Sequence, residues 1–567
     1  MRRKGFGRRP RCVVVAECAL VMSVLCLSSP GAAERPGASA AQTLVLGEKI
    51  YREGVLPSGE PMVADLPGSA PPTGTTFTCA GCHRRSGLGA VEEGLRTPPI
   101  NGERLFRPMY RYFPELLPDE RTKLPARFQT PPVRDGYTDL TLAAAIRSGI
   151  DPNGRRLNAG MPRYRLSDPE MAILVSYLKN LSARPSPGVT GQTLTFATVI
   201  ADGVPQQERD AMLQVLERTF TAHNNLGSGR STHMGGMLSM QVMMLGYRDW
   251  RLARWLLSGP PDTWREQLEA HERTDPAFAL VGGLVPGSWE PIHRFCEERE
   301  IPCILPLTDT PALAPNDQYT LYFSKGYYQE GESAAQYLQG ATTGAPRDII
   351  QVLGPGPEAR ALARGFEDTW RAGHRTPIET VVLGEGTPLG GEPLARLARR
   401  GKNCDLLLWT GPESYGALAS LAAAGPGTVV MSASLLGGRL WELPPEARAF
   451  TLVTYPWREP GEKKLIPPMG GRPFVVNKEF RANDRRIASR TQTAVEILSG
   501  ALVVLERDFY RDRLLDLIDL TADQEKTDYE KLSFSPGKRY ASDGCYLMQL
   551  SQGPNPTLTP KSEWIQH

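Results

Sequence analysis

The segment Cys79-Ala80-Gly81-Cys82-His83 constrains this chain more than any other feature. Two thiols on one helical turn can add to the two vinyl groups of a haem, and the adjacent imidazole then lies beneath the iron as an axial ligand. Structural zinc would ask for two more Cys or His at similar spacing, and none is near. A dithiol redox pair would ask for a strand before it, whereas 71–76 reads Pro-Pro-Thr-Gly-Thr-Thr, a loop. The expected cofactor is one covalent haem c, bonded by Cys79 and Cys82 and ligated by His83.

A haem iron has a second axial position, and 137–181 is where a ligand is expected. A short helix over 140–148 leads into a turn-rich loop, then Met161-Pro162-Arg163-Tyr164. A thioether on a loop pinned by Pro can reach the iron, and Met/His ligation raises the reduction potential. Ser167-Asp168-Pro169-Glu170 then opens a helix to about 181, with a capping-box arrangement. Met171 shares a helical stripe with Leu174, Leu178 and Leu181 and reads as core. Met109 is a rival in a loop. Met161 is the expected ligand.

Residues 1–40 read as an export signal. Six basic residues up to Arg11 precede a mostly apolar run over 13–27, and Ala38-Ser39-Ala40 offers a small-x-small cleavage site, with Ala33 the second choice. The run is short for a membrane span and Glu17 interrupts it. These forty residues carry seven basic and two acidic side chains, so the rest carries 58 basic against 60 acidic. That balance argues against nucleic-acid binding. The mature chain is expected to be soluble and periplasmic, without stable membrane insertion. Six cysteines follow the signal. Cys296 and Cys303 flank a helix-to-strand turn as candidates for a disulfide, and Cys404 and Cys545 have no evident partner.

Residues 41–183 resemble a class I cytochrome c domain. The resemblance rests, in order, on Cys79 to His83, Pro98-Pro99-Ile100, Ala145-Ile146-Arg147-Ser148-Gly149, Met161-Pro162-Arg163-Tyr164 and Tyr177-Leu178-Lys179-Asn180-Leu181. It implies an all-α shell around one haem and one-electron transfer with a redox partner protein, such as an exported dehydrogenase or a terminal oxidase.

Residues 184–192 are Pro/Gly-rich and polar, a linker. Beyond it, strands alternate with helices in two successive sets, which predicts parallel sheets covered on both faces and two lobes. Segments 450–455, 486–505 and 544–550 are expected to return to the first lobe. Residues 193–567 resemble the type 1 periplasmic binding proteins, a group that includes the branched-chain amino-acid binders. The likeness rests on Phe278-Ala279-Leu280-Val281-Gly282-Gly283 with its following helix, Ile301 to Pro306, Tyr327-Tyr328-Gln329 and Asp405 to Gly411. The expected fold class is multidomain: an all-α cytochrome c domain followed by a two-lobed α/β module that closes on a small-molecule ligand.

Loops after strands are the candidate ligand contacts: Ser288, Thr308, Asp309, Thr310, Glu413 and Ser414. For each, the plainer role is a cap or turn residue. His233, Met234, Met237, Met240 and Met243 tempt a copper(I) reading, but on an expected strand their thioethers would alternate sides. Two functions follow. One is an exported electron carrier with an appended small-ligand module. The other is an ABC-transporter-type solute-binding or sensing protein whose haem domain is accessory. An iron with both axial positions filled leaves no reactive group to name, so no enzyme is expected.

Overall fold

The computed structural model describes residues 39–66, 74–92, 94–113, 116–229, 246–341, 347–373, 377–386, 389–390, 404–422, 427–459, 482–521, 523–526, 528–529 and 531–567. The leader up to residue 38, the His233–Met243 run and the helix expected over 393–400 lie outside them.

The first unit is mostly helical. Helix α1 (Ala40–Glu53) opens on a capping box in which Ser39 and Gln42 satisfy each other's backbone N–H groups. Cleavage after Ala40 would remove that cap, whereas cleavage after Ala33 leaves it intact. Strand β1 (Ala64–Asp65) and helix α2 (Cys79–His83) follow, then β2 (Val91–Glu92), β3 (Leu95–Arg96), α3 (Gly102–Leu105), α4 (Pro118–Arg121), α5 (Asp139–Ser148), β4 (Arg163–Tyr164) and α6 (Asp168–Asn180). The all-α expectation is corrected here: β1 pairs with β4 and β2 with β3, both antiparallel. Helix α6 starts as expected, with the Glu170 carboxylate accepting the Ser167 N–H at 2.7 Å. Met171 is buried among Ile50, Leu142, Leu174 and Leu178, so it belongs to the core.

The second unit begins with β5 (Thr193–Ala201), α7 (Gln206–Gly229) and β6 (Asp249–Leu257). The strand expected near 240–246 therefore lies further along. Helix α8 (Trp264–Thr274), β7 (Ala279–Val281), α9 (Glu290–Arg299), β8 (Cys303–Ile304) and β9 (Thr320–Leu321) complete the set. The strands form one parallel sheet in the order β6-β5-β7-β8-β9. One face buries Phe196, Phe278 and Leu321; the other buries Trp255, Trp264 and Phe295. Helices cover both faces, as the alternation predicted.

The third unit holds α10 (Tyr327–Ala341), β10 (Asp348–Leu353), α11 (Pro357–Ala372), β11 (Ile378–Val382), β12 (Cys404–Trp409), α12 (Tyr415–Leu421), β13 (Val429–Ser432), α13 (Ala433–Leu436) and β14 (Thr451–Tyr455). Then α14 (Ala482–Leu505) and α15 (Arg511–Asp519) cross back, burying Leu498, Leu514 and Ile518 in the core of the second unit. Finally β15 (Gly544–Leu550), β16 (Leu558–Pro560) and β17 (Ile565–Gln566) rejoin the third unit's sheet. The chain thus passes between the two α/β lobes three times. Two expectations are corrected: β14 and β15 pair with each other in the second lobe, and among the segments expected to return only the helix reaches the first. Both strands are buried on both faces, and nothing local distinguishes one buried sheet from another.

Candidate functional site

Helix α2 is one turn long, and its ends explain its place. The Thr78 hydroxyl accepts the Gly81 N–H at 3.0 Å. Arg84 then takes φ +65°, ending the helix immediately after His83. Cys79, Cys82 and His83 face a cavity of about 320 Å³ that Pro98, Met161 and Tyr164 also line. Leu142, Ile146, Leu174 and Leu178 give it apolar walls, and Arg96, Arg134 and Arg155 reach it as cations.

His83 is 8% exposed, and its Nδ1 lies 2.9 Å from the Pro98 carbonyl. A carbonyl only accepts, so Nδ1 carries the proton and donates, and Nε2 is left with its lone pair. Burial pushes the imidazole pKa below its ordinary value, while the Pro98 bond opposes this. The ring is held neutral, the form a metal needs.

Met161 sits on a loop fastened by Arg163. The guanidinium donates to the carbonyls of Met161, Asn158 at 3.3 Å and Leu157 at 3.4 Å. Gly149 ends α5 at φ +69°, and a Cβ there would lie 2.1 Å from Arg163 Nε, so this position needs glycine on two counts. Met109 lines the same cavity, so two of the three methionines weighed from the sequence, Met161 and Met109, border it, and Met171 does not.

The expected ligand contacts fall into two sets. In the first lobe the Ser288 hydroxyl accepts the Glu290 N–H at 3.2 Å, and the Thr308 hydroxyl accepts the Thr310 N–H at 3.1 Å. Thr310 donates to the Gly287 carbonyl at 3.3 Å, which brings the two loops together. Asp309 is paired with Arg490 of α14 at 2.8 Å, and Arg490 also donates to the Thr308 carbonyl at 3.0 Å. Burial pushes the Asp309 carboxyl up, but Arg490 and Arg486 outweigh it and hold it below its usual range. In the second lobe Glu413 accepts the Gly411 N–H at 2.7 Å and Ser414 donates to the Gly411 carbonyl at 2.8 Å, a self-contained turn.

Three participants carry no local signal in the sequence. Arg490 reaches Asp309 from 181 residues away. Glu330 of α10 is 1% exposed and accepts from Ser432 at 2.8 Å and Thr454 at 2.5 Å. Pro98 acts through its backbone carbonyl, which any residue could supply. Among the described residues His293, Glu297 and Asp317 also bring ligand-type atoms together. Glu297 is occupied by the backbone N–H groups of Gln318, Tyr319 and Thr320, so the cluster reads as a cap at the start of β9.

No family model and no curated protein matches the chain. Among solved structures it is similar to a fatty acid ABC transporter substrate-binding protein from Thermomonospora curvata, at 14% identity and TM-score 0.43, covering 68% of this chain and 95% of that one. An ABC transporter substrate-binding protein from Sphaerobacter thermophilus gives 13% and 0.46, covering 66% and 98%. A branched-chain amino acid ABC transporter protein from Thermus thermophilus with bound valine gives 12% and 0.43, covering 67% and 98%. The two-lobed description rests on the strand orders and the three crossings, not on these faint likenesses. No helix among the described residues is long and apolar enough to cross a membrane.

Proposed function

We propose that the chain is an exported, periplasmic c-type haem protein that carries one electron, with a two-lobed α/β module appended for a small ligand. The observation that carries this is the His83 Nδ1–H bond to the Pro98 carbonyl at 2.9 Å, which leaves Nε2 for iron beside the two thiols. The residues present fit haem c. Cys79 and Cys82 would hold it covalently, and His83 and Met161 would ligate the iron. The apolar walls suit a macrocycle, and Arg96 and Arg155 complement its carboxylates. When bound, the group supplies a one-electron iron couple. The chain's own part is to keep the imidazole neutral, hold the Met161 loop with Arg163 and exclude water with Leu142, Ile146 and Leu174. A redox partner, an exported dehydrogenase or a terminal oxidase, completes this reading.

The test is export together with haem-attachment machinery, followed by the visible spectrum and intact mass of the purified chain. One haem per chain that survives denaturation, and is lost in Cys79→Ala/Cys82→Ala, is expected. A colourless product sinks the reading.

A second reading, a solute-binding or sensing protein with an accessory haem domain, is favoured by the three crossings and by the convergence of the 287–288 and 308–310 loops. A midpoint potential measured with and without ligands found by thermal-shift screening separates the two. No shift fits a tethered carrier; a large shift fits sensing.

A further inference from the structure

The loop that leaves His83 is held from two sides. Arg84 sits at φ +65°, a conformation that neighbours must impose. From within the first unit, the Tyr51 hydroxyl donates to the Arg84 carbonyl at 2.7 Å and the Gly89 N–H donates to the His83 carbonyl at 3.0 Å. The Ser182 hydroxyl also donates to the Ser86 carbonyl at 2.7 Å, and further restraints come from α15 of the first lobe. Asp516, 6% exposed, accepts the Ser86 N–H at 3.0 Å and the Arg85 N–H at 3.3 Å. Arg513, one helical turn earlier, donates to the Gly89 carbonyl at 2.9 Å. Around this contact Arg52 pairs with Asp512 at 2.7 Å, Arg104 with Asp508 at 2.9 Å and Arg507 with Glu120 at 2.6 Å. A row of ion pairs therefore fixes the haem-binding unit to the segment 507–516.

We propose that Asp516 is a positioning residue for His83: the first lobe completes the haem site by holding the loop that carries the axial imidazole. This rests on reading His83 as a haem ligand. Two backbone N–H groups on one buried carboxylate form charge-assisted bonds, and losing the acceptor leaves both donors buried and unpaired. Loop 84–89 then keeps its own unit's restraints and, from the first lobe, only side-chain contacts such as Arg513 on the Gly89 carbonyl, and the imidazole loses part of its fixed approach. The same lobe carries the Asp309–Arg490 pair on α14, which runs through 506–510 into α15. The fusion of the two modules is on this account a shared site rather than a tether.

The experiment uses the full chain matured with haem-attachment machinery and the variants Asp516→Leu and Asp516→Asn. Both lose the charge, and Asn keeps an oxygen for only one of the two N–H groups, which bond to separate carboxylate oxygens in the wild type. Amide exchange over 84–89 is expected to accelerate at least tenfold in D516L and by less in D516N, with the two variants at different midpoint potentials. Should D516L fail to fold, Arg513→Met is expected to accelerate exchange over the same loop. Wild-type exchange in D516L or R513M overturns the proposal, and so do equal exchange and equal potentials in D516L and D516N. A wild-type chain without covalent haem would instead refute the proposed function, while the exchange arms still report on the clamp.

Discussion

His83 donates its Nδ1 proton to the Pro98 carbonyl at 2.9 Å. Because the acceptor is main chain, Pro98→Ala is expected to keep covalent haem and an unchanged visible spectrum. His83→Ala removes the proposed ligand and is expected to give a spectrum with an open axial position. Identical spectra for the two variants would exclude His83 as the ligand.

Met161 and Met109 both line the cavity, but only Met161 has its carbonyl fastened by Arg163. Met161→Ala is expected to lower the midpoint potential by more than about 59 mV, a tenfold change in a one-electron equilibrium. Met109→Ala is expected to leave it within that margin. The reverse order would move the assignment to Met109.

Burial pushes the Glu330 carboxyl from its ordinary 4.5 up to about 7, against the lowering effect of the Ser434, Thr454 and Ser432 hydroxyls. The folded state therefore binds this proton more tightly than the unfolded state. Its contribution is fully present below about pH 4.5 and is lost as pH rises through about 7. Glu330→Gln is expected to remove a fall on the order of 1–3 kcal/mol across that window, read by urea unfolding at several pH values. An unchanged pH profile would show that Glu330 titrates normally.

Cys296 and Cys303 are both fully buried free thiols. Burial pushes the Cys296 thiol well above its usual 9.0, which starves it of thiolate. Protein made without export is expected to resist alkylation at both positions while folded and to label fully in denaturant. Rapid labelling of the folded chain would contradict the packing around α9 and β8.

Much of the site was readable because its signals are local. Cys79, Cys82 and His83 lie on one helical turn, and Ser167 with Glu170 announces α6 within four residues. The alternation of apolar runs exposed two α/β sets for the same reason, since each strand and helix writes its own period. The lobe that a late strand joins was not readable. β14 and β15 are buried on both faces, and their residue patterns do not say which sheet buries them.

The sequence by itself placed two thiols and an imidazole on one helical turn and marked the start of α6. Only the tertiary structure decided that Arg490 neutralises Asp309, that Glu330 is buried beneath Ser432 and Thr454, and that Asp516 reaches back 430 residues to Ser86. Those partners are matched by desolvation: a charge taken out of water must find a donor or counter-ion wherever the chain's packing places one, and distance along the sequence does not enter that cost.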